Sequence, residues 1–144
     1  MCLLCTSGLA ADFDGDGVPD EFTITRDSAK AAKVSGVRLA NPWEETRAGK
    51  EPAKGLGFII RLSREARTYL VNDADFFNGP MWLEDKPEAC MQFITKQNRG
   101  YRDWKKQVPA LKADAIQLCT EGGPDILLYW TGKQWSLFWP KENP

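Results

Sequence analysis

Ile126-Leu127-Leu128-Tyr129-Trp130-Thr131-Gly132-Lys133-Gln134-Trp135-Ser136-Leu137-Phe138-Trp139 is the stretch that decides the fold class. Two apolar runs flank Gly132-Lys133, and a two-residue turn with glycine first supplies the positive φ of a primed hairpin turn. That spacing sets a register: Thr131 opposite Gln134, Trp130 opposite Trp135, and Leu128 opposite Leu137. Side chains alternate along a strand, so Ile126, Leu128, Trp130, Trp135, Leu137 and Trp139 share one face, which the pattern predicts to be buried. The Trp130–Trp135 pair is expected to add about 0.5–1 kcal/mol beyond simple burial. The competing reading of this face is an aromatic platform for a ligand.

Working outward, the same kind of short run recurs. Strands are expected at Glu21–Arg26, Gly36–Leu39, Gly57–Leu62, Thr68–Val71, Met91–Thr95 and Ala115–Cys119, before the two of the hairpin. Asp27–Lys33 reads as a short helix and Arg102–Gln107 as a helical turn ahead of Pro109, while Asn41–Lys54 is polar and charged, a surface loop. The expected class is mainly β: antiparallel sheets and hairpins in a compact β-propeller-like or sandwich-like arrangement with one or two short helices. The 144 residues suffice for one domain with its own core.

Asp12-Phe-Asp14-Gly-Asp16-Gly-Val18-Pro-Asp20 carries the chemistry. Carboxylates at positions 1, 3 and 5 of a tight loop converge their oxygens, the Val18 carbonyl and the Asp20 carboxylate add two more, and Gly17 permits the sharp turn. Hard oxygens in that number suit Ca2+ better than Mg2+, which demands stricter geometry and keeps its waters. The competing reading is a solvated acidic turn. An EF-hand needs Glu at position 12, where Thr23 stands, and the loop runs directly into the strand pattern Glu21-Phe-Thr-Ile-Thr-Arg26. The stretch Asp12–Phe22 resembles the FG-GAP or VCBS-type repeat, the calcium loop of integrin α-chain propellers and many secreted bacterial proteins. More faintly, Asp114–Leu118 and Asp125–Trp135 look like strand pairs of small periplasmic members. The resemblance implies that Asp12, Asp14, Asp16, Val18 and Asp20 hold calcium between two strands. The repeat occurs once, which excludes a propeller of several calcium blades. A second oxygen cluster at Asp73, Asp75 and Asn78 lacks the glycine spacing and reads as an Asp-rich turn.

Residues 1–11 carry no charged side chain and end in small residues, as the back of a secretory signal peptide does, leaving one domain over 12–144. Leu4 is too bulky for the small position before a lipoprotein cysteine at Cys5; a strand-forming apolar end is the other reading. Removal of that segment leaves Cys90 and Cys119, an even pair expected to form a disulfide in an oxidising, periplasmic or extracellular setting.

Charge is balanced, with 19 Lys plus Arg against 20 Asp plus Glu, which argues against a nucleic-acid arm or a polybasic membrane anchor. No run approaches the ~18 apolar residues of a spanning helix. The chain has no histidine, and with it lose their usual base the Ser and Cys triads. No phosphate-cradling glycine loop is present. The expected function is therefore non-catalytic: an exported calcium-binding, protein-binding module, of the inhibitor or immunity type that neutralises a periplasmic cell-wall-degrading enzyme delivered by type VI secretion. Aromatic and Arg residues favoured at hot spots nominate Trp43, Glu44 and Arg47, with Tyr101, Arg102 and Trp104, as its partner surface. The alternatives are a calcium-stiffened adhesive or glycan-binding domain, and a hydrolase using two carboxylates.

Overall fold

The computed structural model describes residues 11–44, 53–83 and 86–141. In chain order its strands are β1 (Glu21–Thr25), β2 (Val37–Ala40), β3 (Gly57–Leu62), β4 (Arg67–Val71), β5 (Met91–Ile94), β6 (Ala115–Leu118), β7 (Ile126–Trp130) and β8 (Trp135–Phe138). The helices are α1 (Ser28–Ala32), α2 (Pro80–Leu83) and α3 (Arg99–Gln107). All eight runs expected as strands form strands, within a residue or two at their ends. Gly132 has φ 101°, and the turn it opens sets Leu128 opposite Leu137 and Trp130 opposite Trp135. Thr131 locks that turn: its N donates to Gln134 O at 2.9 Å and its Oγ1 accepts from Gln134 N at 3.1 Å.

Two four-stranded sheets result, ordered β1-β3-β4-β2 and β5-β6-β7-β8. The second is a plain antiparallel meander. In the first, β2 runs parallel to β4, so that sheet is mixed at one edge and antiparallel elsewhere. The chain leaves β1 through α1 and enters β2 at the far edge, beyond β4, leaving the middle of the sheet to the β3–β4 hairpin. Of the two arrangements expected, the sheets form the sandwich. Phe58, Ile60, Leu62, Tyr69 and Val71 from the first meet Phe93, Ile116, Leu118, Ile126, Leu128 and Trp135 from the second in one core. Phe13 belongs to this core with no exposure, its ring edge-on to Phe93 at 5.6 Å and to Trp135 at 5.8 Å, on the two edge strands of the second sheet. The other face of the second sheet is also covered: Trp104 and Val108 of the α3 region pack with Leu111 against Ile94, Ala115 and Leu127.

The buried hairpin face is only partly as expected. Ile126, Leu128 and Trp135 are buried, Trp130 and Leu137 are half-buried, but Trp139 is 51% exposed because it lies past the end of β8, an edge strand. The Trp130 and Trp135 rings stand 5.5 Å apart and lean on Tyr69, so this face is packing, not an open platform. The aromatic density has a cost. Among the described residues the buried Trp43 Nε1 and Trp135 Nε1 have no hydrogen-bond partner, about 1–3 kcal/mol each.

α2 was not expected, since Pro80-Met-Trp-Leu is too short to show periodicity; it is a single turn whose Trp82 is buried against Phe58 and Phe77. Cys90 and Cys119 are joined in a disulfide at the end of the β5–β6 ladder, with Cα atoms 5.1 Å apart and Cys119 N donating to Cys90 O at 2.9 Å. Such a bond fits an oxidising compartment. No helix among the described residues is long and apolar enough to cross a membrane.

Candidate metal centre

The Asp12–Asp20 loop begins from a bridge, in which Asp20 N donates to Ala11 O at 2.8 Å while Ala11 itself is buried. Between those residues the chain must reverse twice in a few steps. Gly15 (φ 75°) and Gly17 (φ 86°) take the left-handed conformations this requires. The aspartates then organise the backbone themselves. Asp12 accepts from Gly15 N at 2.9 Å through Oδ1 and from Gly17 N at 2.7 Å through Oδ2, and Asp16 Oδ1 accepts from Val18 N at 2.9 Å. With the side chains so tied, one carboxylate oxygen from each of Asp12, Asp14, Asp16 and Asp20 lies within 4.8 Å of the others. Four of the five residues singled out in the sequence thus come together. The fifth, Val18, exposes its side chain, and its carbonyl lies 3.4 Å from Ser63 Oγ, the hydroxyl that also donates to Asp16 Oδ2.

Two supports carried no signal in the loop sequence. The β3–β4 turn donates to three of the aspartates: Ser63 Oγ to Asp16 at 2.7 Å, Ser63 N to Asp20 at 2.8 Å, and Arg64 N to Asp14 at 3.2 Å. On the opposite side Asp114, just before β6, accepts from Asp12 N at 2.9 Å and from Lys96 N at 3.0 Å, and Asp114 N donates to Asp12 O at 3.1 Å. The loop is therefore fastened to both sheets. Ser63 and Asp114 are ordinary turn residues by sequence, and only the tertiary fold brings them here.

Like charges this close repel, by about 3 kcal/mol per pair at ~5 Å and an effective dielectric near 20. The aspartates differ in acidity, with burial as the first cause of each upward shift. Burial, followed by the Asp12 side chain, pushes Asp14 up to about 6. Burial also raises Asp20, against hydrogen bonds from Ser63 and Phe13. Asp16 moves the other way: bonds from the Ser63 hydroxyl and then Val18 N hold it below the ordinary carboxylate value. Four carboxylate oxygens grouped this closely are hard donors of the kind that could hold a divalent cation.

The remaining sequence candidates scatter. Asp73 is buried and capped, accepting from Phe76 N at 2.7 Å and Asn41 Nδ2 at 3.1 Å, while Asp75 and Asn78 face solvent; this is the turn the sequence suggested. Trp43 is half-buried, its ring 4.7 Å from Phe76. Trp104 is buried and donates through Nε1 to Gln117 Oε1 at 2.8 Å, and half-buried Tyr101 donates its hydroxyl to Leu111 O at 3.3 Å. Of the α3 trio only Arg102 is exposed. Arg47, the Glu44 side chain and residues 1–10 of the expected leader lie outside the described residues. No family model matches the chain, and neither a curated protein nor a solved structure matches it.

Proposed function

We propose that this chain is an exported, non-catalytic calcium-binding protein whose β-sandwich binds another protein. One observation carries the reading: four carboxylates meet within 4.8 Å in a loop tied to both sheets, so an ion there would hold the sandwich closed. The ligands would be Asp12, Asp14, Asp16, Asp20 and the Val18 carbonyl, as in the FG-GAP-type loop the sequence resembles. The ion would supply positive charge at the point of greatest repulsion and no chemistry of its own. The absence of histidine and the disulfide support an exported binding role over a catalytic one. Within that role we favour an inhibitor or immunity protein acting on a periplasmic cell-wall-degrading enzyme. Co-purification from the native periplasm tests it: a stoichiometric enzyme partner is expected, and its absence overturns the protein-binding reading. The exposed ring of Trp139 favours a glycan-binding alternative, which glycan binding abolished by Trp139→Ala would establish.

Calorimetry on chelator-treated protein tests the ion. Binding is expected between micromolar and millimolar calcium, and Asp16→Asn is expected to weaken it by about ten-fold or more. Free calcium at 100 times the dissociation constant stabilises the fold by about 2.7 kcal/mol. No heat at millimolar calcium removes the calcium reading.

Acidity gives a second check. In the ion-free protein the folded Asp14 value, about 6, lies above the ordinary 3.8. Its proton therefore stabilises the fold fully below the unfolded value, and that contribution is lost as pH rises through about 6. Calcium must displace the proton. Affinity is thus expected to rise from pH 5 to 7, by about ten-fold, and then to level off, with proton release on binding greatest below pH 6. A flat profile from pH 5 to 8 contradicts it.

A further inference from the structure

We infer that the outward face of α3 docks an acidic surface on a protein partner; this deepens the protein-binding reading above and rests on it. At 3.6 residues per turn Arg99, Arg102 and Lys106 fall within about 60° of the helix circumference and run about 10 Å along it. All three are exposed. Tyr101, Trp104 and Val108 occupy the opposite side, packed on the second sheet. Lys105 is occupied elsewhere, its Nζ donating to the Pro109 and Leu111 carbonyls. Among the described residues the three stripe cations make no ion pair; the pairs present join Arg61 to Glu21 and Arg67 to Glu65.

The charge is concentrated, not diffuse. Residues 96–112 hold six Lys or Arg (Lys96, Arg99, Arg102, Lys105, Lys106, Lys112) and one Asp (Asp103), a net +5 in a chain whose total is −1, so the rest carries −6. A cationic stripe attracts several kinds of anion, and the aromatics decide among them. Single-stranded nucleic acid needs exposed rings on which bases stack, but both rings of this helix are turned inward and hydrogen-bonded. A membrane-surface helix needs an apolar face free to enter lipid, and here that face is spent on the sheet. Carboxylates remain. Exposed arginine forks match them in pairs, and charges at an interface of this kind set partner choice and association rate.

The test uses the full chain with calcium and fluorescent poly-L-glutamate as the probe, read by anisotropy. The triple variant Arg99→Gln/Arg102→Gln/Lys106→Gln is expected to bind about ten-fold more weakly, the order of three exposed charge contacts, and parent binding is expected to fall with salt. The triple variant Lys30→Gln/Lys33→Gln/Lys54→Gln removes the same charge from other exposed positions and is expected to bind like the parent. Thermal midpoints verify folding, and Arg102→Gln alone, with a smaller loss in the same direction, serves should the α3 triple variant misfold. Equal losses in the two triple variants overturn the inference. So does tighter binding of oligothymidylate or of phosphatidylglycerol vesicles, or self-association of the parent that the α3 substitutions abolish. If α3 variants recover the native partner as the parent does, the docking face is wrong and the protein-binding reading stands. A parent that recovers no partner removes both.

Discussion

Phe13→Ala is expected to destabilise the protein by about 3–5 kcal/mol. Three observations set the size. The side chain has no exposure, it meets Phe93 and Trp135 edge-on, and it belongs to the core that both sheets share. Removing the ring leaves a cavity lined by Phe93 of β5 and Trp135 of β8, the two edge strands of the second sheet, beneath the shared core. The substitution also reaches the metal loop, because Phe13 N donates to Asp20 at 2.7 Å and the ring anchors that backbone. Urea unfolding with and without calcium measures both effects: lower stability in each condition and a smaller gain from the ion. A loss under 1 kcal/mol would show that the ring is not a principal part of the core.

Replacing both Cys90 and Cys119 by Ser is expected to cost about 3–4 kcal/mol in the chain-entropy account of a loop this size. The bond closes a separation of 29 residues that contains α3 and the strand β5 it packs on. For a domain of this length the loss corresponds to a fall of about 10–15 °C in Tm. Reduction of the parent should reproduce it. Since Cys119 N already donates to Cys90 O, the ladder itself should survive, and amide exchange should rise across the β5–β6 pair without loss of the sandwich. An unchanged Tm after complete reduction would contradict the account.

Strand positions and the hairpin register were legible because both are local. Alternation and the Gly132-Lys133 turn act within a few residues, and the structure repeats the pairing down to Trp130 opposite Trp135. Pairing between distant strands leaves no such mark. Nothing in Val37–Ala40 says that it lies parallel to β4, since the route is set by α1 and by the buried knot where Asn72 Nδ2 donates to Leu56 O at 2.7 Å. The acidic loop was legible for the same local reason: its glycines and aspartates shape their own backbone. Ser63 and Asp114 were not, because they reach the loop only once β3, β4 and β6 are in place. Tyr101 and Trp104 show the converse limit. Their residue types suit an interface, yet their helical spacing from Val108 puts them on the inner side.

The bond between Asp12 N and Asp114 spans 102 residues and bears on how the chain folds in time. A polypeptide emerging amino end first carries Asp12 and Phe13 long before the groups that fasten them exist, and the Trp135 ring comes later still. Local hairpins such as β3–β4 can form early, but the step that joins them needs both ends of the chain at once. Loops of that length close slowly and raise contact order, so the folding rate should depend on this late closure and very little on the propensity of any one strand.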